Sequence, residues 1–305
     1  MSGKPGDQKR PVHLPVLLRE VITQLDLSPG LIVVDGTVGA GGHSEHILKK
    51  INNEGTLIGL DRDAMMLGFA TQKLKPESLP AGRCYLRQSS YAELPAVMEE
   101  LQISSVDRVL LDLGLSSDQL SDDERGFGFE SAGELDLRFD TRQGVPAWQL
   151  LESLPESELC EILEVYGEER FSQRIANQIV KQRKTAPVRT AADLIKAVQQ
   201  AIPGKALAAA RKNPATRVFQ ALRIAANQEL EQLETMLETV LPQVLQPGGR
   251  AVIISFHSLE DRMSSRRLKP GDLKNLTAKP IVATQAEQRV NPRCRTAKLR
   301  VAVKT

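Results

Sequence analysis

The segment Leu31-Ile32-Val33-Val34-Asp35-Gly36-Thr37-Val38-Gly39-Ala40-Gly41-Gly42-His43-Ser44 constrains the fold more than any other part of the chain. A β-branched apolar run ends in a carboxylate, a glycine-rich turn follows, and Ser44 stands where a helix can be capped. A second run, Thr56-Leu57-Ile58-Gly59-Leu60, ends at Asp61, 19 residues beyond Gly42. That order is a mononucleotide-binding βαβ unit. Glycines let the backbone approach a ligand, and an acid at the tip of the second strand accepts hydrogen bonds from a ribose diol.

The spacing fixes the unit and leaves the ligand open. The glycines read G-x-x-G-x-G-G from Gly36 rather than G-x-G-x-x-G. Asp35 stands where class I methyltransferases place a carboxylate near the methionine moiety of S-adenosylmethionine, although their pattern has glycine where this chain has Thr37. A nicotinamide or flavin dinucleotide suits the same segment taken alone.

Alternation of short apolar runs and amphipathic stretches continues around the unit. Helices are expected at Pro15–Leu27, Glu45–Ile51, Asp63–Lys75 and Glu93–Leu101, and strands near Arg83–Leu86 and at Asp107–Leu113. Such a chain builds a parallel doubly wound sheet with its ligands at the carboxyl ends of the strands. From about Leu135 to Arg223 the pattern turns helical, with segments at Pro155–Tyr166, Glu168–Arg183 and Ala191–Ile202. The last carries Thr190 as cap and Asp193 in capping-box position. A long helix, Pro214–Leu241, is expected to break near Pro242 and Pro247-Gly248-Gly249, and strands resume at Arg250–Phe256 and Lys298–Val303. The division expected is a flexible tail at 1–12, a core at 13–134, an inserted helical substrate-recognition subdomain at 135–223, and the rest of the core at 224–305. The amphipathic Glu229–Leu241 stretch suits a subunit interface or a core equally, so the sequence leaves the oligomeric state open.

A chain of 305 residues can bury one large core plus an insertion. It has no apolar run near the roughly 20 residues of a membrane span, and Met1–Pro11 is too polar for a secretory signal. Three scattered cysteines, Cys84, Cys160 and Cys294, fit a reducing cytoplasm rather than a disulfide framework or a zinc site. Four histidines, none paired at ligand spacing, give no reason to expect a metal. Net charge is only +2 but unevenly spread: twelve Lys/Arg face two acids from Arg262 onward, and eleven face three between Glu168 and Arg217. Two basic regions of this kind suit a polyanion, RNA being the natural partner.

Four more segments hold unusual local chemistry. They are Leu111-Asp112-Leu113-Gly114-Leu115-Ser116-Ser117-Asp118-Gln119-Leu120, Glu124-Arg125-Gly126-Phe127-Gly128-Phe129 with Leu135-Asp136-Leu137-Arg138, Asn213-Pro214-Ala215-Thr216-Arg217, and Ile254-Ser255-Phe256-His257-Ser258-Leu259-Glu260-Asp261-Arg262. With the glycine turn, these resemble the RsmH/MraW family of bacterial ribosomal RNA methyltransferases, from His13-Leu14-Pro15 to Asn291-Pro292-Arg293-Cys294-Arg295. The resemblance implies a class I, Rossmann-like methyltransferase core with a helical insertion. It implies transfer from S-adenosylmethionine to the exocyclic N4 of a cytidine in the decoding region of small-subunit (16S) rRNA, free or within an assembled subunit. Cofactor contacts carried over fall on Gly41, Gly42, His43, Asp61, Tyr91 (where the family commonly has phenylalanine), Asp112 and Gln119, beside Asp35 and Gly39 from the turn itself. Gly128, Glu134, Asn213 and Met263-Ser264-Ser265 depart from the family's usual serine, proline, histidine and basic residues.

Cytidine N4 is a poor nucleophile because its lone pair is delocalised into the ring, so acceptors must stand where its hydrogens point. The candidates are Asp112 with the Ser116 and Ser117 hydroxyls, and His257 as a hydrogen bonder facing the base. Phe127 and Phe129 either clasp the base or fasten the insertion to the core. Two other readings are a dinucleotide oxidoreductase and an RNA-binding ribosome assembly factor with a vestigial nucleotide fold. The first leaves the Ser-Phe-His-Ser-Leu-Glu-Asp-Arg block unexplained. The second sits badly with an intact Asp35, Gly39, Gly41, Gly42 and Asp61.

Overall fold

A computed structural model describes residues 15–210, 212–268 and 272–305, so the expected tail at 1–12 lies outside the described residues. Helix α1 (Leu18–Leu25) leads into β1 (Ile32–Asp35), α2 (Gly42–Ile51), β2 (Thr56–Asp61), α3 (Ala64–Leu74), β3 (Cys84–Gln88), α4 (Leu94–Glu100) and β4 (Val106–Asp112). β1 to β4 pair in parallel in the order β3-β2-β1-β4. The apolar side chains of β1, β2 and β4 are buried on both faces, as strands covered by helices on either side require, while edge strand β3 is only half-buried. α1 is shorter than the expected Pro15–Leu27, because Leu17 and Asp26 both adopt left-handed backbone and bound it.

No strand interrupts the chain between β4 and β5 among the described residues. The helices there are α5 (Ser117–Leu120), α6 (Ala147–Ser153), α7 (Glu156–Val165), α8 (Ser172–Gln182), α9 (Ala191–Ala201), α10 (Gly204–Ala208) and α11 (Thr216–Asn227). Thr190 and Asp193 cap α9 reciprocally, as expected. Phe127, Leu135, Leu151, Leu163, Ile179 and Leu222 belong to a hydrophobic core separate from those against the sheet. Phe127 is buried and stacks on Phe139 at 5.9 Å, whereas Phe129 meets Phe219 edge-on at 4.9 Å and stays 39% exposed.

The expected single helix over 214–241 is divided. Gln228 takes left-handed backbone and starts α12 (Glu229–Thr235). A π-helical turn at Met236–Val240 follows, and then α13 (Leu241–Val244). α13 continues the π-helical turn without a break, and the helical run ends at Val244, two residues past Pro242. Leu233, Leu237, Val240 and Leu241 are buried in the core against the sheet, so this amphipathic face is core. β5 (Leu245–Ser255) begins earlier than expected, its Pro247-Gly248 stretch bulging from β4 before regular pairing from Arg250. α14 (Ser258–Arg267), β6 (Leu273–Asn275), β7 (Ile281–Val282), α15 (Gln285–Val290) and β8 (Lys298–Lys304) complete the fold, with β8 antiparallel to β5. The sheet order is β3-β2-β1-β4-β5-β8-β6. It reverses direction from β1 between β2 and β4, which places a crevice above the carboxyl ends of β1 and β4.

Candidate active site

One cavity occupies that crevice. Gly36 to Ala40, Gly42 and His43 form its floor after β1, Asp61 and Arg62 the tip of β2, Asp112 to Gln119 the exit of β4, and Phe256 and Glu260 the tip of β5. Tyr91, Glu229, Leu233, Phe139 and Arg293 close its sides.

The glycine turn is built as a support for one carboxylate. Gly39 donates its N–H to Asp61 Oδ2 at 2.9 Å, and Asp63 donates to Oδ1 at 2.9 Å. Burial pushes the Asp61 carboxyl up to about 7, and the carboxylates of Asp63 and Asp35 add to the rise against those two N–H bonds. Gly41 does not line the cavity. It takes φ +78° at the start of α2, and a Cβ there would press on Leu74 at 3.1 Å, so its role is to shape the helix entry. Ser44 is likewise not the helix cap expected of it. Its hydroxyl donates to Asp35 Oδ2 at 2.7 Å, inside the protein. Asp35 is buried beneath the turn rather than lining the cavity, and accepts from the Thr37 N–H at 3.3 Å. Burial raises its carboxyl above the usual range. Asp35 and Gly41 therefore hold the ligand-facing residues from behind.

His43 and Asp112 lie side by side in the cavity lining, Nε2 to Oδ2 3.4 Å apart without hydrogen-bond geometry. Both ring nitrogens of His43 and Oδ1 of Asp112 are shut from solvent and have no hydrogen-bond partner in the protein. Buried polar atoms without partners are costly, and these belong to residues that border the cavity. Asp112 is fixed through its backbone, whose N–H donates to Thr37 Oγ1 at 2.6 Å. Thr37, where the general methyltransferase pattern has glycine, thus ties β1 to β4.

The exit of β4 is more structural than the sequence suggests. Ser116 and Gln119 form a capping box on α5, with Ser116 Oγ accepting from the Gln119 N–H at 3.0 Å. Gln119 spends its amide oxygen on the Ser116 N–H and its amide nitrogen on Asp63 Oδ2, both within 2.8 Å. Ser117 Oγ accepts from Arg293 at 2.5 Å, and Arg293 also donates to the Leu115 carbonyl. Both hydroxyls line the cavity, and each already takes part in a hydrogen bond within the protein.

His257, expected to face the base, is not among the residues that line the cavity. It caps α14, with Nδ1 accepting from the Glu260 N–H at 3.4 Å and Nε2 3.1 Å from Glu260 Oε1. From that block Phe256 and Glu260 line the cavity, Glu260 being 2% exposed. Glu229, His257 and Glu260 bring one potential ligand atom each within 4.8 Å of one another. Arg223, however, grips both oxygens of Glu229 at 2.8 and 2.9 Å, so the group is knit as an ion-pair network.

Sequence reasoning overlooked the residues that brace the site. Asp63, two positions past Asp61, accepts from Arg125 Nη1 at 2.7 Å and from Gln119. Arg125 also donates to the Arg138 and Phe139 carbonyls. Arg62 donates to the Asn227 carbonyl at 2.6 Å, and Asn227 in turn binds the Phe139 N–H and the Leu137 carbonyl. The acidic end of β2 is thereby tied to both ends of the helical block. The available signal was that Asp61-Arg62-Asp63 is three charges in a row at a strand tip.

A family model described as the MraW methylase family matches residues 10–305. The chain belongs to that family. It is 44% identical over 313 residues to "Ribosomal RNA small subunit methyltransferase H" of Solidesulfovibrio magneticus, covering 96% of this chain and 95% of the relative. It is 43% identical over 315 residues to the protein of the same name from Heliobacterium mobile, covering 96% and 98%. Membership in a methylase family removes the oxidoreductase alternative and makes S-adenosylmethionine the ligand against which the cavity is judged. The residues fit it: a carboxylate lines the cavity at the tip of β2, and His43 and Asp112 carry polar atoms without partners in the protein. No described helix is long and apolar enough to cross a membrane.

Proposed function

We propose that this chain methylates the exocyclic N4 of a cytidine in the decoding region of small-subunit rRNA, acting in the cytoplasm on the RNA or on an assembled subunit. The observation that carries the reading is the single cavity running from Asp61 at the tip of β2 to Phe256 and Glu260 at the tip of β5. One end suits a nucleoside donor and the other a flat base. Bound S-adenosylmethionine supplies an activated sulfonium methyl, so no metal is needed to polarise it.

The protein's own residues do the rest. Asp61 accepts from the ribose hydroxyls, Gly39 and Gly42 allow close approach of the turn, and Tyr91 forms a wall beside adenine. His43 and Asp112 bring polar atoms to the donor's amino-acid end and to the transfer centre, while Gln119 keeps Asp63 in place beneath them. Covering side chains such as Phe139 and Leu233 exclude water. The division at 135–223 is read here as the part that recognises RNA. Its positive charge is partly committed internally, Arg183 to the Leu151 and Leu154 carbonyls and Arg189 to Glu134 and Glu152. In the C-terminal region Arg262 pairs with Glu168, and Lys298 and Arg300 share Asp261. Phosphate contacts therefore fall to the remaining Lys and Arg of both regions. Mapping methylated nucleotides in rRNA from cells with and without the gene tests the proposal. Loss of one N4-methyl mark, restored by the wild-type gene, is the expected result. An unchanged pattern refutes it.

A further inference from the structure

We propose that Glu260 is the catalytic residue that accepts the N–H of the target amine and takes up its proton during transfer. This rests on the reading above that the substrate is a base with an exocyclic amine. With Asp61 holding a ribose at the tip of β2, the order β2-β1-β4-β5 leaves the target base the part of the cavity over β4 and β5. The Phe256 ring lies beside Gly114, where an added Cβ would already be within 3.4 Å of it.

Of the other carboxylates that line the cavity, Asp61 stands at the tip of β2, Asp112 beside His43 and Asp118 at the exit of β4, while Glu229 is clasped through both oxygens by Arg223. Glu260 is placed by the end of β5. Its Oε2 accepts from the Phe256 N–H at 2.8 Å and the His257 N–H at 3.3 Å, which fixes the carboxylate at the tip of β5. His257 Nε2 lies 3.1 Å from Oε1. Burial favours the neutral acid, but His257, the Arg223 charge and these hydrogen bonds outweigh it and hold the group below the usual carboxylate range. The result is a fixed, buried anion facing the place where positive charge develops on nitrogen.

In the step, the amine nitrogen bonds to the methyl carbon as that carbon's bond to sulfur breaks, the electron pair staying on sulfur. The surplus N–H proton passes to the Glu260 carboxylate and then to water as product leaves. The reaction is balanced without another reactant.

The conservative variant is informative because Glu260 also completes the capping box of α14. A glutamine at that position keeps the backbone contacts through its amide oxygen and loses the charge. Aspartate keeps the charge and also serves in a capping box, as Asp193 does on α9. The experiment measures methylation of small-subunit particles from cells lacking the gene, with calorimetric titration of S-adenosylmethionine. For Glu260→Gln the expected result is a kcat at least about 100-fold lower, with donor Kd within about twofold of wild type. Glu260→Asp is expected to recover at least about tenfold of that loss. A Glu260→Gln enzyme within threefold of wild type overturns the assignment, as does equal impairment of both variants or a parallel loss of donor affinity. A wild-type protein that leaves those particles unmethylated instead refutes the substrate reading itself.

Discussion

Asp61 grips a ribose best as an anion, yet burial pushes its carboxyl from 3.8 up to about 7. In the ligand-free protein the raised value favours the folded state fully below pH 4, and that contribution is lost as pH rises through 7. Donor binding runs the other way, because it needs the proton gone. Affinity for S-adenosylmethionine is therefore expected to rise toward tenfold per pH unit between 5.5 and 7 and to level above, as followed by calorimetry. Asp61→Asn should flatten that dependence and weaken binding, and a flat wild-type profile would show that Asp61 does not titrate with the ligand. Thr37 offers a test of the floor. Thr37→Val keeps the shape and leaves the buried Asp112 N–H without its acceptor, a loss of about 1–3 kcal/mol in unfolding free energy measured with denaturant.

Among elements, the decisive one is the tip of β2. Asp63, 2% exposed, meets Arg125 in a largely buried pair and shares its oxygen with Gln119. Asp63→Asn would leave Arg125 buried without its charge partner, an expected cost of about 3–5 kcal/mol. Because Arg125 and Arg62 carry the contact onward to Phe139 and Asn227, the same change should weaken donor and RNA binding together. An RNA affinity unchanged in Asp63→Asn would contradict that linkage. At this scale the sequence was readable where one residue type has one use. The apolar runs of β1, β2 and β4 and the Thr190–Asp193 cap are examples. It was unreadable where one residue has two uses. Ser44 can cap a helix or bind Asp35, and Ser116 can face a substrate or cap α5. Only the distance to a partner remote in the chain decides between them. The break at Gln228 was hidden because its left-handed backbone has no glycine or proline to announce it.

For the whole molecule, the parallel sheet with a helical stretch between β4 and β5 follows from hydrophobic periodicity alone. The cavity does not, since Arg293, Glu229 and Phe139 reach it from segments far apart in the chain. His257 shows the consequence: the local motif was legible, but which of its side chains faces the ligand depends on packing against α12. The central claim is that this crevice binds a sulfonium nucleoside through the carboxylate at β2. Its most direct measurement is titration of the purified protein with S-adenosylmethionine and, separately, with Asp61→Ala. The account predicts micromolar binding by the wild type and at least about a 100-fold loss, ~2.7 kcal/mol, in the variant. Binding that survives the substitution unchanged, or no binding by the wild type, would contradict it.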